Sequence, residues 1–425
     1  MTQIRYVLAG TGSRGLWLYG QGLGKGAFQE HSKLVGLFDI SPGRLEEAKK
    51  ILGVELPLYT DFDRMLTELD PDGVIIATND ASHAEYVIRV LQAGKQVICE
   101  KPLAINAAQI RSVLSASRNA SSAPRISLVT HNMRYSPAIA HIKKLIIDGA
   151  IGSLLNITYC DYLDRRHGAD YFRRWHRFRE NSGGLLIQKA CHDFDILNWF
   201  VGSLPYKVIA RGGLAVYGKC GPFRGARCKG CAHAKSCDYY ADLWSGSDYA
   251  LYSQGEEDSG YIRDGCVYDE RIDIEDHADV LYEYDNGVKV NYHFLAFASI
   301  EGLRMEIEGT QGRIIYESTS STESNPGKMV IHGLESHHAQ RMTLYSYSEG
   351  ICDIPGDQWM SLNHWESDNL YFLKEYFGRP IGAPLTPRQA TLEESAWAVL
   401  IGATANLSIS ENSKPIEVKK LLADE

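Results

Sequence analysis

The sequence predicts an α/β protein of two domains, and three observations carry that prediction. The first is the stretch from Ile4 to Gly15, IRYVLAGTGSRG, in which an apolar strand runs into a glycine-rich turn and then a helix. Gly10 lets the chain leave the strand tightly, Gly12 lets the backbone approach a pyrophosphate, and Gly15 lets the helix pack close, so this G-x-G-x-x-G stands where a dinucleotide site needs it. The second is KLVGLFD, a further apolar strand whose terminal Asp39 lies 24 residues after Gly15, where a carboxylate can accept hydrogen bonds from an adenosine ribose. The third is length: 425 residues exceed one ordinary core and suit two domains. The N-terminal domain is therefore expected to be a Rossmann dinucleotide-binding domain over residues 1–124. Residues 125–425 form a second α/β domain.

Composition narrows the function. With 44% hydrophobic and 23% charged residues the chain reads as a soluble globular protein. Its net charge of −9 and lack of a basic tail argue against a nucleic-acid surface. No apolar run reaches bilayer length and the N-terminus starts on strand-like sequence, so neither membrane association nor secretion is expected and the expected location is cytoplasmic.

Along the first domain, Gly10, Thr11, Gly12, Ser13, Arg14 and Gly15 are the expected phosphate contacts, and Asp39 would repel a 2'-phosphate, which favours NAD over NADP although Arg44 is close by. Pro42 to Leu52 has Leu45, Ala48 and Leu52 on one face and reads as a crossover helix. The continuous apolar run Gly73 to Ala77 is a covered parallel strand. Thr78 and Asn79 follow at its carboxyl end, where ligands of open sheets sit, and Ser82 opens a helix with His83 in its first turn. His83 is either a cofactor contact or a locally satisfied residue. Gln96 to Cys99 is the next strand and ends in Glu100-Lys101-Pro102. A helix over Asn106 to Asn119, a boundary at Ser121 to Pro124 and a strand from Ile126 to Val129 follow.

In the second domain, Pro137 to Asp148 reads as a helix and Leu154 to Tyr162 as the first sheet strand. Asp164 to Glu180 carries six arginines and two histidines in an acidic protein, and is either a solvated face or subunit contact, or a loop over the site. In the second case Trp175 would stack on a sugar face and His176 or an arginine would bind hydroxyls or a carboxylate. Gly183 to Val201 is predicted as one helix, with Ala190, Phe194, Leu197 and Val201 on one stripe and Gln188, His192, Asp195 and Trp199 on the other. Lys189 lies one turn before His192, and Asp195, three residues after it, could orient the imidazole. Ala278 to Tyr284 and Val288 to Phe294 alternate around Asp285-Asn286-Gly287, a hairpin turn. Further alternating segments continue an open, mostly antiparallel mixed sheet, and Pro387 to Ser408 reads as the C-terminal helix.

The combination GTGSRG, ATND and EKP resembles the glucose-fructose oxidoreductase and inositol dehydrogenase family, Gfo/Idh/MocA, and the resemblance extends over nearly the whole chain except an insertion at about 220–269. It implies that Lys101 sits between nicotinamide and substrate, before a cis proline, and that His192 is the catalytic histidine. Asn132 and Tyr135, in a segment similar to the family's NxRY, become candidate contacts to cofactor and substrate, while Arg134 could equally be an ion-pair partner. Most members have an aspartate where this chain has Gln188, so Asp195 or Lys189 would have to reshape the proton relay. The resemblance also implies a homo-dimer or homo-tetramer built on the open face of the sheet.

The insertion holds a cysteine cluster. Cys228 and Cys231, with Cys237 six positions later, have metal-site spacing, because two thiolates on one tight turn reach a single ion. Cys220, Cys266 and His233 are possible fourth ligands. Cys266 is the choice that the resemblance implies. Zinc and an iron-sulfur cluster need the same ligands and are not separated by sequence.

The expected activity is NAD-dependent oxidation of a hydroxyl on a sugar, glycoside or cyclitol, with His192 taking the proton and Lys101 stabilising the alkoxide. A redox-neutral glycosidase or epimerase working through a transient keto-sugar is the alternative. A non-catalytic NAD-binding regulator is the third reading.

Overall fold

The computed structural model describes residues 3–24, 26, 28–120, 127–243, 248–320, 338–348, 350–356, 364–380 and 383–423. Strands β1 (Ile4–Ala9), β2 (Ser32–Phe38), β3 (Leu58–Tyr59), β4 (Gly73–Ile76), β5 (Gln96–Cys99) and β6 (Ser127–Val129) form a parallel sheet in the order 6-5-4-1-2-3. This is the doubly wound order, and the sequence reversal between β1 and β4 opens a crevice at the strands' carboxyl ends. The expected boundary at 121–124 falls outside the described residues.

The second sheet begins with β7 (Leu154–Asp164), β8 (Pro205–Gly213), β9 (His277–Tyr284), β10 (Lys289–Ala298) and β11 (Glu301–Gly309). It continues through β12 (Gly312–Ser320), β13 (His338–Ser346) and β14 (Gly350–Asp353). Two short strands close the count: β15 (Ala390–Thr391) adds antiparallel to β6 in the first sheet, and β16 (Ile416–Glu417) adds to β8 in the second. The second sheet is antiparallel except where β7 and β10 run parallel, so it is the mixed open sheet expected. Alternation decides its faces: in β9 and β10 every second residue is buried against helices while its neighbours stay open to solvent.

Three elements differ from the expectations for local reasons. The predicted helix over 183–201 is two helices, Leu185–Gln188 and Cys191–Val201, with a break at Lys189 and Ala190. Gly184, at φ 86°, starts the first of them where no other residue would be comfortable, since a Cβ there would meet the Glu275 carboxylate at 2.9 Å. The arginine-rich segment is a helix over Arg165–Arg173, capped by the Asp164 carboxylate, and then a short turn at Trp175–Arg177. The C-terminal helix starts at Leu392 and not at Pro387, because Thr391 and Glu394 make a reciprocal capping box.

The insertion reaches across the molecule. Its helix, Tyr249–Ser259, lies along the Pro42–Leu52 helix, and its Leu251 is fully buried in the same apolar cluster as Leu16, Leu45 and Leu52.

Candidate active site

The glycine-rich turn is built by contact. At Gly10, φ is 93° and a Cβ would meet the Ala77 carbonyl oxygen at 2.4 Å, while a Cβ on Gly15 would meet the Gly10 carbonyl oxygen at 2.0 Å. Both positions therefore exclude any other residue, and the turn is pressed onto the end of β4. In front of it lies a cavity of about 980 Å³, lined by Gly10, Gly12, Ser13, Arg14, Asp39, Thr78 and Asn79 on one side and by Trp175, His176, Tyr252 and Arg263 on the other. The turn, the open volume and the carboxylate at the end of β2 fit a nicotinamide dinucleotide.

Most predicted cofactor residues meet here, with their side chains already engaged. Asp39 accepts from the backbone and hydroxyl of Thr11, at 2.9 and 3.0 Å, and its other oxygen accepts from Ser41 N and Arg44 Nη1 at 3.0 and 2.9 Å. Glu100 accepts from Arg14 Nε at 2.7 Å and from the Tyr19 hydroxyl at 2.6 Å, which positions the start of the Lys101 loop. Asn132 Nδ2 faces Asn369 Oδ1 at 3.5 Å, and Asn369 lines the cavity. His83 takes the bland alternative: it is buried, with Nδ1 at 2.7 Å from the Pro102 carbonyl and Nε2 at 3.3 Å from that of Thr78, so it ties the helix to the loop and does not line the cavity.

Lys101, Gln188 and His192 come together on the same side of the molecule as the loop after β5, and none of the three is among the residues that line the cavity. The Lys101–Pro102 peptide is cis, and Lys101 Nζ donates to the Gln188 carbonyl at 2.9 Å. His192 Nδ1 is buried without a hydrogen-bond partner among the described residues, as is Gln188 Oε1. Burial, followed by the charge of Lys101 and the nearby His131 and Lys189, holds the His192 pKa well below the usual imidazole range, so the ring is a neutral base. His176, stacked at 3.8 Å on the Trp175 ring, is pushed down as well by burial, Arg174 and Lys101. Trp175, His176 and Arg174 line the cavity, which selects the site-loop alternative for this segment.

Three expectations are corrected. Asp195 neither faces substrate nor orients His192: both its oxygens are taken at 2.7 Å by Arg134 Nε and Nη2, with both side chains 1% exposed. A planar guanidinium satisfies a carboxylate bidentately, and that outcompetes a neutral imidazole one turn away. Tyr135 is 1% exposed and donates to Glu375 at 3.2 Å, packed among Phe372 and Tyr376, so it lies in the core and away from substrate. Lys189 Nζ pairs with Asp161 Oδ2 at 3.1 Å and influences His192 only through its charge.

The sequence reading missed two groups. Asp193 accepts from the Tyr159 and Tyr292 hydroxyls at 2.7 and 2.9 Å, and burial together with Asp161 pushes its carboxyl up to about 7. Its adjacency to His192 was the available signal. The other group is the insertion helix and its flanks. Asp248 accepts from Ser13 Oγ at 2.9 Å and Trp17 Nε1 at 2.6 Å, and the Tyr252 hydroxyl accepts from Ser13 N at 2.9 Å. The Tyr249–Ser259 helix was not among the elements expected from the sequence, and nothing local told where it docks.

The cysteines converge without forming a ligand shell. Cys228, Cys231, Cys237 and Cys266 line one small cavity of about 20 Å³ among Phe223 and Tyr239, whereas Cys220 is exposed and points to the Leu214 carbonyl. Cys266 is thus the fourth member of the group. Among the described residues no three metal-ligating side chains are arranged to hold an ion, and Cys266 Sγ instead accepts from Gly225 N at 3.4 Å.

Fold and site together define a two-domain oxidoreductase architecture built around a dinucleotide. Residues 4–124 match the oxidoreductase family's NAD-binding Rossmann fold, and residues 143–371 match its C-terminal alpha/beta domain. The chain belongs to the Gfo/Idh/MocA oxidoreductase family. YteT of Bacillus subtilis (strain 168), named as an oxidoreductase, is 31% identical over 414 residues, covering 93% of each chain. Inositol 2-dehydrogenase of Rhizobium meliloti (strain 1021) is 29% identical over 179 residues, which is 42% of this chain and 50% of that enzyme. Levoglucosan dehydrogenase, solved with NADH and levoglucosan, superimposes with a TM-score of 0.63 over 98% of this chain and 100% of its own at 20% identity, a likeness of fold. Among the described residues no helix is long and apolar enough to cross a membrane.

Proposed function

We propose that this chain is an NAD-dependent dehydrogenase that oxidises a hydroxyl of a sugar, glycoside or cyclitol. The observation that carries the reading is the joining of Lys101 Nζ to the Gln188 carbonyl, four residues before a neutral His192 whose Nδ1 has no partner among the described residues. Gly10 to Gly15, Thr78, Asn79 and Asn132 would hold NAD, with Asp39 on the adenosine side. NAD, when bound, would supply the acceptor for the hydride that leaves the carbinol carbon. His192 accepts the hydroxyl proton, and its depressed basicity keeps it free to do so at neutral pH. Lys101, fixed by the Gln188 carbonyl, places a positive charge where the alkoxide develops. Trp175 offers an apolar face for a sugar ring, and His176 and Arg174, with Nδ1 and Nε buried and without a partner among the described residues, offer polar contacts to its hydroxyls or to a carboxylate.

The redox-neutral reading has one observation in its favour: the insertion helix roofs the cavity through Ser13, which would retain a cofactor between turnovers. Incubating purified protein with NAD+ and a panel of sugars, glycosides, uronates and inositols separates the two. NADH that disappears in Lys101→Met and His192→Ala supports the dehydrogenase; altered sugar without NADH defeats it in favour of the glycosidase or epimerase.

The same proposal includes a 1–124 cofactor domain, a cytoplasmic homo-oligomer and a structural metal at Cys228, Cys231, Cys237 and Cys266. Exposed Leu155, Leu281 and Ile351 on the second sheet supply apolar surface for a second copy.

A further inference from the structure

The turn after β2 carries the donors of a phosphate cradle. The Ser41 hydroxyl and Gly43 N–H stand at the start of the Pro42–Leu52 helix, and the Arg44 guanidinium lies beside Asp39 with its Nε buried and without a hydrogen-bond partner among the described residues. Asp39, Ile40 and Arg44 line the dinucleotide cavity, so this cradle is where the 2'-phosphate that distinguishes NADP from NAD would stand. An arginine next to an acid leaves discrimination at this point undecided from the turn alone.

A side chain from the insertion decides it. Asp258, on the last turn of the Tyr249–Ser259 helix, accepts from Ser41 Oγ at 2.6 Å and from Gly43 N at 2.8 Å through the same oxygen. Those two bonds hold its carboxyl below the usual range, so it is anionic. The helix passes close to the Arg44 guanidinium at Gly255, where a Cβ would stand 2.5 Å from Arg44 Nη2. Arg44 in turn gives Nη1 to Asp39 at 2.9 Å and faces the Tyr252 ring at 5.7 Å. The cradle's hydroxyl and N–H are thus filled from within the chain, and two carboxylates stand where a phosphate dianion would enter.

We infer that Asp258 is a specificity-determining residue for the dinucleotide, excluding NADP by occupying the 2'-phosphate cradle from the insertion. The inference rests on the NAD-dependent reading above. A 2'-phosphate must displace Asp258 from both donors and meet its charge, whereas a 2'-hydroxyl asks for neither.

The test is calorimetric titration of the nucleotide-free full chain with NAD+ and with NADP+, for wild type, Asp258→Asn and Asp258→Ser. Asp258 is exposed and fills no core space, and the two variants guard against one failing to fold. Wild type is expected to bind NAD+ the more tightly, and both variants to shift the ratio of dissociation constants toward NADP+ by about tenfold or more, the weight of a charged hydrogen bond. If wild type prefers NAD+ and the ratio moves less than about twofold in both variants, Asp258 has no such role while the NAD reading stands. If wild type binds NADP+ at least as tightly as NAD+, the NAD reading falls and this inference falls with it.

Discussion

Replacing Asp195 by Ala separates a structural acid from a catalytic one. Arg134 and Asp195 are each 1% exposed and share two bonds of 2.7 Å, so the substitution leaves a guanidinium in the interior. It cannot escape by losing its proton, because a guanidinium stays charged inside proteins even without its carboxylate. Little else is in reach: Glu394 Oε1 stands 3.6 Å from Arg134 Nη1, but that side chain is 47% exposed and its other oxygen serves the Thr391 cap. The Trp199 ring, at 5.6 Å, offers a cation–π contact that is present in both forms. Breaking a buried pair on one side costs about 3–5 kcal/mol. With an urea dependence of about 2–3 kcal/mol per M, the unfolding midpoint should fall by about 1–2 M. Asp195→Leu combined with Arg134→Met should recover most of that loss, because no lone charge remains. Midpoints from circular dichroism in urea, measured beside kcat at a temperature where every variant is folded, decide the matter. A loss below about 1 kcal/mol together with a collapse of kcat would overturn the argument and return Asp195 to the chemistry.

Three other outcomes are expected. His192→Ala should lower kcat by about 10²–10⁴-fold, the usual worth of a general base, while calorimetric NAD+ affinity changes little; equal losses in both would mean that the histidine shapes the cofactor site. Because the His192 pKa is depressed, the neutral base persists below pH 6.5, and the acid limb of kcat/KM should lie below that value; in Lys101→Met, one cation fewer stabilises the imidazolium and the residual activity's limb should move to higher pH, whereas an unmoved limb assigns it to another group. Zinc or iron should be found by elemental analysis of purified protein and should be lost in Cys228→Ser with Cys266→Ser, and a metal-free wild type would assign the four thiols to packing alone.

The parts legible in the sequence were those in which a residue and its reason lie close together. The turn at Gly10 to Gly15, the Pro42–Leu52 helix with its Ser41 cap, and the alternating β9 and β10 each satisfy their own backbone and patterning within a dozen residues. Lys101 and His192 were named through the resemblance, and the structure ties Lys101 to the Gln188 carbonyl, four residues before His192. Asp195 was misread because helical spacing names neighbours on the same helix and says nothing of Arg134, 61 residues earlier, whose fork is the stronger claimant.

The insertion shows the same limit from the other side. Its cysteines are marked by their spacing, while the Tyr249–Ser259 helix that follows them carries no such local mark. Arg227, next to Cys228, binds Glu256 on that helix and also Asp264, so the cysteine loop and the roof of the cavity are one mechanical piece. Tyr252 and Asp248 meet Ser13 across more than 230 residues of chain. Such a contact follows from the docking of Leu251 into the core of the first domain, an event no local pattern encodes. An apparent ornament of the second domain is therefore a wall of the cavity in front of the glycine-rich turn, tied through Arg227 to the loop that carries the cysteines.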